Sequence, residues 1–257
     1  MKSKIAGLGV MLASLLLMTG MAQGAVKTET VTYKSGNEPV KGFLALPGTP
    51  GKHPGIVVIH EWWGLTPWVK EQAEKFAARG YVALAVDLYR GKSTDDPMVA
   101  HELARGLPQD RAIRDLKAGF DYLASRSDVI PQKIGSVGWC MGGGWSLNLA
   151  ENEPSLAACA VNYGALPTDA DNIARIHAPV LGNFGALDRG IPPPAVAAFV
   201  KAMKAQGKQV DAKVYPDCGH AFENPNNKKG YRAASAQDAW NRMLAFFQRT
   251  LSHAAMQ

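Results

Sequence analysis

The chain has 257 residues, enough for one substantial globular domain, and its 47% hydrophobic and 19% charged residues exclude it from the disordered class. The formal net charge is +6, with two of those charges on Lys2 and Lys4. The nearest thing to a basic cluster is Lys228-Lys229, which reads as a solvated loop, so no nucleic-acid partner is expected.

Residues 1–24 read as a signal peptide. Lys2 and Lys4 form a positive start, residues 5–18 are an apolar stretch, and small residues follow at Gly20, Ala22, Gly24 and Ala25. Cleavage after Ala22 or after Gly24 satisfies the small-residue preference equally. The apolar stretch is short of the roughly 20 residues a membrane span needs, and no Cys precedes Cys140 to carry a lipid. The mature chain, 25–257, is therefore expected to be a single domain, periplasmic or secreted, monomeric and without a stable membrane anchor after processing. In an oxidising compartment three cysteines (Cys140, Cys159, Cys218) leave at least one thiol unpaired. Cys159 lies in an apolar run and reads as core packing, with a Cys159–Cys218 bridge as the alternative.

Beyond the leader, residues 28–33 and 40–46 read as two strands of an antiparallel hairpin turning at Ser35-Gly36-Asn37. Residues 55–60 form a continuous apolar run, as for a strand buried on both faces. A helix is predicted over 67–79, with Pro67 near its start and Gly80 at its stop. Further strands are predicted at 81–86, 133–139, 157–163, 180–184 and 210–215, and further helices at 108–125, 142–151, 193–206 and 233–251. This alternation implies an α/β fold, a mostly parallel sheet of about eight strands with helices on both faces. Ligands of such sheets bind beyond the carboxyl ends of the strands, and Glu61, Trp62, Asp87, Arg90, Cys140, Gly164, Asp188 and His220 all fall there.

Gly138-Trp139-Cys140-Met141-Gly142 places a Cys at a strand-to-helix turn so tight that only Gly is tolerated two residues to either side. The helix that follows points unsatisfied amides at the thiol, which favours the reactive thiolate. An inert Cys at a strand end is the bland alternative. A nucleophile needs a base, and the base an orienting acid, in the chain order nucleophile, acid, His. Asp188 and His220 meet that order, each in a loop after a predicted strand. Asp217 is a rival acid, but three residues from His220 it more naturally stabilises the local turn. The other histidines read as structural or solvent-exposed. The amides of Met141 and Trp62 are the candidate oxyanion hole. No ligand spacing for a metal and no Gly-rich phosphate loop stands out, so no cofactor is implied.

Together these segments resemble the dienelactone hydrolase family of α/β-hydrolases, from about Pro54 to Phe247. His60-Glu61-Trp62-Trp63-Gly64 is similar to the family's Glu loop, and Asp87-Leu88-Tyr89 to its next strand end. Gly138-Trp139-Cys140-Met141-Gly142-Gly143 is similar to its Cys elbow. Gly185-Ala186-Leu187-Asp188 and Gly219-His220-Ala221-Phe222 are similar to its acid and His loops. The resemblance implies a carboxymethylenebutenolidase-like hydrolase of small esters or lactones, acting through a thioacyl enzyme. It implies that Glu61 controls formation of the thiolate, and that Arg90, with Trp63 and Tyr89, contacts substrate. A loop carboxylate paired with a nearby Arg is the plainer reading of Glu61. Arg90 lies one residue closer to Asp87-Leu88-Tyr89 than the family's Arg, and a second family Arg is missing: the chain reads Phe222-Glu223-Asn224-Pro225. Trp62, Trp63, Tyr89, Trp145 and Tyr163 are candidate walls of an apolar pocket. The alternatives are thioester or peptide cleavage by the same triad, and a non-catalytic binding or redox-sensing protein on the same scaffold.

Overall fold

A computed structural model of the protein describes residues 25–251. The predicted signal peptide lies outside the described residues. Eight strands form one sheet in the order β1-β2-β4-β3-β5-β6-β7-β8. They are β1 (Lys27–Ser35), β2 (Glu38–Leu46), β3 (His53–Ile59), β4 (Val82–Val86), β5 (Val129–Trp139), β6 (Ala158–Asn162), β7 (Val180–Gly185) and β8 (Val210–Tyr215). The predicted hairpin is present: β1 and β2 pair antiparallel, with Ser35 opposite Glu38 across a turn in which Gly36 has a φ of 59°. β2 also runs antiparallel to β4, whereas β3 to β8 are mutually parallel.

Helices cover both faces, as the buried apolar strands require. On one face lie α1 (Pro67–Ala77) and α7 (Ala233–Leu251), whose Phe76, Met243 and Phe247 pack on Ile56, Val58 and Val137. On the other lie α3 (Gln109–Ser125), α4 (Met141–Asn152) and α6 (Pro193–Ala205), whose Leu116, Leu147 and Phe199 pack in a core with Val57, Ile59 and Val161. Each such fully buried side chain contributes about 1.5–3 kcal/mol of transfer free energy.

Two further helices, α2 (Pro97–Arg105) and α5 (Ala170–Arg175), were not predicted. In α2 only Ala100 is buried, so the sequence has no apolar stripe to announce it. Its start is local: Pro97 opens the first turn and Asp96 accepts from the amides of Met98 at 2.7 Å and Val99 at 3.4 Å. α5 has six residues and one buried side chain. β5 begins four residues before the predicted strand, across a register irregularity between His53 and Gly55.

Sheet order reverses at β3, whose chain successor β4 lies on one side and β5 on the other. A crevice opens where neighbouring crossovers leave in opposite directions, at the carboxyl ends of β3 and β5. Glu61 follows the first of those strands and Cys140 the second.

Candidate active site

The turn from β5 into α4 is as tight as its glycines imply. A Cβ on Gly138 would lie 1.9 Å from the Gly142 carbonyl oxygen, and one on Gly142 would lie 2.4 Å from the Ile59 carbonyl oxygen. Cys140 itself is bent to φ 55°, ψ −121°, a conformation that costs a non-glycine residue about 1–3 kcal/mol. Backbone bonds hold it: its amide donates to Asn162 O at 3.0 Å, and its carbonyl accepts from the Gly143 amide at 3.0 Å. The other non-glycine residues with positive φ along this edge are Arg90, after β4, Tyr163, after β6, and Ala221, beside His220. Strain is thus concentrated where the strand ends converge.

The structure brings Cys140, Asp188 and His220 into one hydrogen-bonded chain. His220 Nε2 lies 3.0 Å from Cys140 Sγ, and His220 Nδ1 lies 2.7 Å from Asp188 Oδ2. The other oxygen of Asp188 accepts from the amides of Gly190 at 2.8 Å and Ile191 at 3.1 Å, so the carboxylate is fixed on both sides. These bonds to the imidazole and the loop amides hold Asp188 below the usual carboxylate range, against its burial. Burial alone would lower His220, but Asp188 and the Cys140 sulfur overcome it and raise the imidazole to about 10. Both ring nitrogens are thus partnered, Nδ1 by the Asp188 carboxylate and Nε2 by the sulfur. The His220 side chain remains 42% exposed, open to an incoming molecule. Its loop is fastened by Asn227, whose amide donates to His220 O at 3.0 Å and Ala221 O at 3.2 Å. The rival Asp217 bonds instead to Cys218 and Ser235, as a local turn residue would.

Glu61 is 2% exposed, and its Oε2 accepts from the Asn224 side-chain amide at 2.6 Å. Its other oxygen is buried without a hydrogen-bond partner. Burial raises its carboxyl to about 7, opposed by the Asn224 bond and the charge on His220. Neither the thiol nor an arginine is hydrogen-bonded to it; Asn224, in the loop after His220, holds it instead. Neighbouring His60 is fully buried and neutral, its Nδ1–H donating to Glu61 O at 2.5 Å and its Nε2 accepting from the Leu88 amide at 3.3 Å. That bond fixes the backbone from which Glu61 and Trp62 project.

The amides of Trp62 and Met141 donate to no backbone carbonyl among the described residues, which leaves both available to an oxyanion. Trp62 and Trp63 pack edge to face with centroids 4.9 Å apart, both partly exposed. Tyr89 is buried, its hydroxyl 3.2 Å from the Met141 sulfur. Tyr163 is wholly buried against the edge of His220 at 5.3 Å and supports that ring instead of walling an open pocket. Trp145 packs partly buried against the core on the α3 and α4 face. Cys159 and Cys218 are both free, so no bridge joins them. Cys159 sits in the core beside Ser146 Oγ at 3.3 Å, and burial pushes its thiol up to about 11.

Arg90, expected from resemblance to contact substrate, is engaged within the protein. Its guanidinium donates to both oxygens of the fully buried Asp115 at 2.9 Å, and also to Glu38 Oε2 and Pro39 O. A buried carboxylate demands such a partner, and this one ties the β1–β2 hairpin and the turn after β4 to α3. The group proposed from resemblance as a substrate contact is committed to the scaffold. Sequence reasoning in turn passed over Asn224, Asn227 and Glu223. The one signal for them was the polar run 223–227 directly behind the apolar end of the His loop.

A parallel sheet of this order, carrying a strained nucleophile-type turn with acid and His loops at its carboxyl edge, defines an α/β-hydrolase. Residues 40–251 match the dienelactone hydrolase family. The chain belongs to that family and is a hydrolase of carboxylic esters or lactones. Among its relatives, "Protein usf" of Aquifex pyrophilus is 34% identical over 87% of this chain and 99% of its own length. A "Putative carboxymethylenebutenolidase" of Methylorubrum extorquens is 30% identical over 81% of this chain and 76% of its own. Among solved structures, the dienelactone hydrolase-like promiscuous phosphotriesterase P91 from metagenomic libraries superposes with a TM-score of 0.82, at 26% identity over 88% of this chain and 99% of that one.

Proposed function

We propose that the protein cleaves small esters or lactones through a thioacyl enzyme, with Cys140 as nucleophile, His220 as proton carrier and Asp188 as the acid that orients it. The supporting observation is the chain from sulfur to imidazole to carboxylate at 3.0 and 2.7 Å. Cys140 Sγ attacks the substrate carbonyl carbon, and the amides of Met141 and Trp62 receive the oxygen as it gains charge. Collapse of this intermediate breaks the ester C–O bond, and His220 Nε2–H gives its proton to the departing alkoxide. Water then attacks the thioester, passing its proton to the now neutral imidazole. The thiolate leaves, restoring the sulfur–imidazolium pair and releasing the acid. Asp188 holds Nδ1 protonated throughout.

By resemblance Glu61, held by Asn224, helps generate the thiolate when substrate arrives. With Arg90 engaged by Asp115, recognition needs no carboxylate on the substrate, so neutral esters and lactones are accepted alongside charged ones. The amino-terminal leader directs this activity to the periplasm or beyond the cell. The test is intact-mass detection of an acetyl adduct after brief mixing with p-nitrophenyl acetate. The adduct is expected on the wild type and absent from Cys140→Ala; an adduct or undiminished turnover in that variant refutes the reading.

A further inference from the structure

Behind the catalytic groups lies a second buried carboxyl that the proposed mechanism does not use. Glu223 Oε2 accepts from the indole N–H of Trp139 at 3.0 Å, and Trp139 directly precedes Cys140. The next residue, Asn224, is the one that holds Glu61. One strand end and one loop therefore place two carboxyls in a shared interior compartment. Three oxygens there are buried without hydrogen-bond partners: Glu61 Oε1, Glu223 Oε1 and the Tyr163 hydroxyl. Leaving such groups bare costs about 1–3 kcal/mol each when neutral and more when charged. The charge on Glu61 opposes ionisation of Glu223, on top of its burial.

The surroundings decide which carboxyl keeps its proton. Glu61 has the short Asn224 N–H bond and faces the His220 imidazolium, both of which stabilise an anion. Glu223 faces Glu61, Tyr163 after β6 and Tyr215 of β8, with Lys75 of α1 as its one favourable charge. That ammonium also lies over the Trp240 ring, 5.2 Å from its centroid. Burial and the Glu61 charge raise Glu223 to about 8, above its neighbour. Glu223 also lines a cavity of about 140 Å³ between α1 and α7, with Gln72, Lys75 and Trp240.

We infer that Glu223 is a positioning residue of the hydrolytic site, holding the proton of a buried carboxyl pair so that Glu61 is the single anion beside the Cys140–His220 couple. The inference rests on the hydrolytic reading above. When Glu223 loses its proton, a second negative charge stands behind Cys140 and opposes the anionic transition state. No proton leaves or joins the reacting atoms in this step; the proton passes from Glu223 to solvent.

The test is the pH dependence of kcat/KM for p-nitrophenyl acetate in the wild type, Glu223→Gln and Glu61→Gln. The wild type is expected to lose activity roughly tenfold, about the effect of one unfavourable charge, along a limb centred near pH 8. Glu223→Gln lacks that limb, whereas a purely structural role for the Trp139 bond leaves the limb in place and lowers the rate at all pH values. In Glu61→Gln the limb moves to lower pH, because the neighbouring charge that raised Glu223 is gone. A wild-type limb that persists unchanged in Glu223→Gln overturns the inference. Should that variant not fold, a limb unmoved in Glu61→Gln overturns it equally. Full activity in Cys140→Ala is a different failure, that of the hydrolytic reading itself.

Discussion

Gly138→Ala is the most direct test of the geometry that places the thiol. The added methyl carbon would sit 1.9 Å from Gly142 O, 2.2 Å from the Gly142 carbonyl carbon and 2.8 Å from the Gly143 amide nitrogen. All three are backbone atoms of the first turn of α4, so no rotamer change relieves the clash. Restoring ordinary contact requires moving that turn by roughly 1.5 Å, more than the shift of about 1 Å that costs a catalytic site a hundredfold. The turn has nowhere to go, since Gly142 already abuts the carbonyl oxygens of Ile59 and His60 within 2.4 and 2.5 Å of its notional Cβ. A stability loss at or above the top of the usual 1–3 kcal/mol for overpacking is expected. Urea denaturation followed by circular dichroism measures the first effect, and kcat/KM on p-nitrophenyl acetate the second, at least a hundredfold fall in the folded fraction. A variant with wild-type urea midpoint and wild-type rate refutes the claim that close backbone approach sets the nucleophile.

Asp188→Asn should lower kcat by roughly three to four orders of magnitude, as when an orienting carboxylate is lost from a Ser-His-Asp triad, with the far-ultraviolet spectrum unchanged. A fall smaller than tenfold in stopped-flow ester hydrolysis would argue that Asp188 does not orient His220. Arg90→Ala leaves Asp115 buried and unpaired, and about 3–5 kcal/mol of stability should be lost in equilibrium unfolding. KM for a carboxylate-bearing lactone should stay within twofold of wild type; a tenfold rise would restore Arg90 as a substrate contact. Alkaline pH should weaken the fold. Glu61 and Glu223 are raised to about 7 and about 8 by burial, and His220 to about 10 by its partners, so the native state holds protons that the unfolded chain releases. Their stabilising contributions are complete below the unfolded values near 4.5 for the carboxyls and 6.5 for the imidazole, and are lost as pH rises through the folded ones. Tm by calorimetry should therefore fall between pH 6 and pH 9.5, with a smaller fall in Glu223→Gln; a flat or rising Tm contradicts the assignment.

Much of the site was legible because its chemistry is written locally. Gly138, Cys140 and Gly142 announce a turn whose steric demands leave few other residues possible, and the alternation of buried strands with helices announces the sheet that carries it. Asp188 and His220 were found by order and by position after strands, both properties of a linear chain. The ion pairing of Arg90 was illegible for the opposite reason. Nothing near it in the chain mentions Asp115, 25 residues on, or Glu38 in a hairpin at the sheet's edge. α2 escaped because it buries only Ala100 and so lacks the periodic apolar face that signals a helix.

The sequence by itself determined the element order, the elbow and the three residues of the hydrogen-bonded chain, because local sterics and hydrophobic periodicity are encoded within a few residues of each other. Tertiary structure decided their electrostatics. Whether Glu61 meets a thiol, an arginine or an asparagine, and whether Glu223 is a surface charge or an interior proton holder, depends on how segments 163 and 84 residues apart come together. Burial strengthens every charge in that compartment, and burial is a property of the folded chain alone.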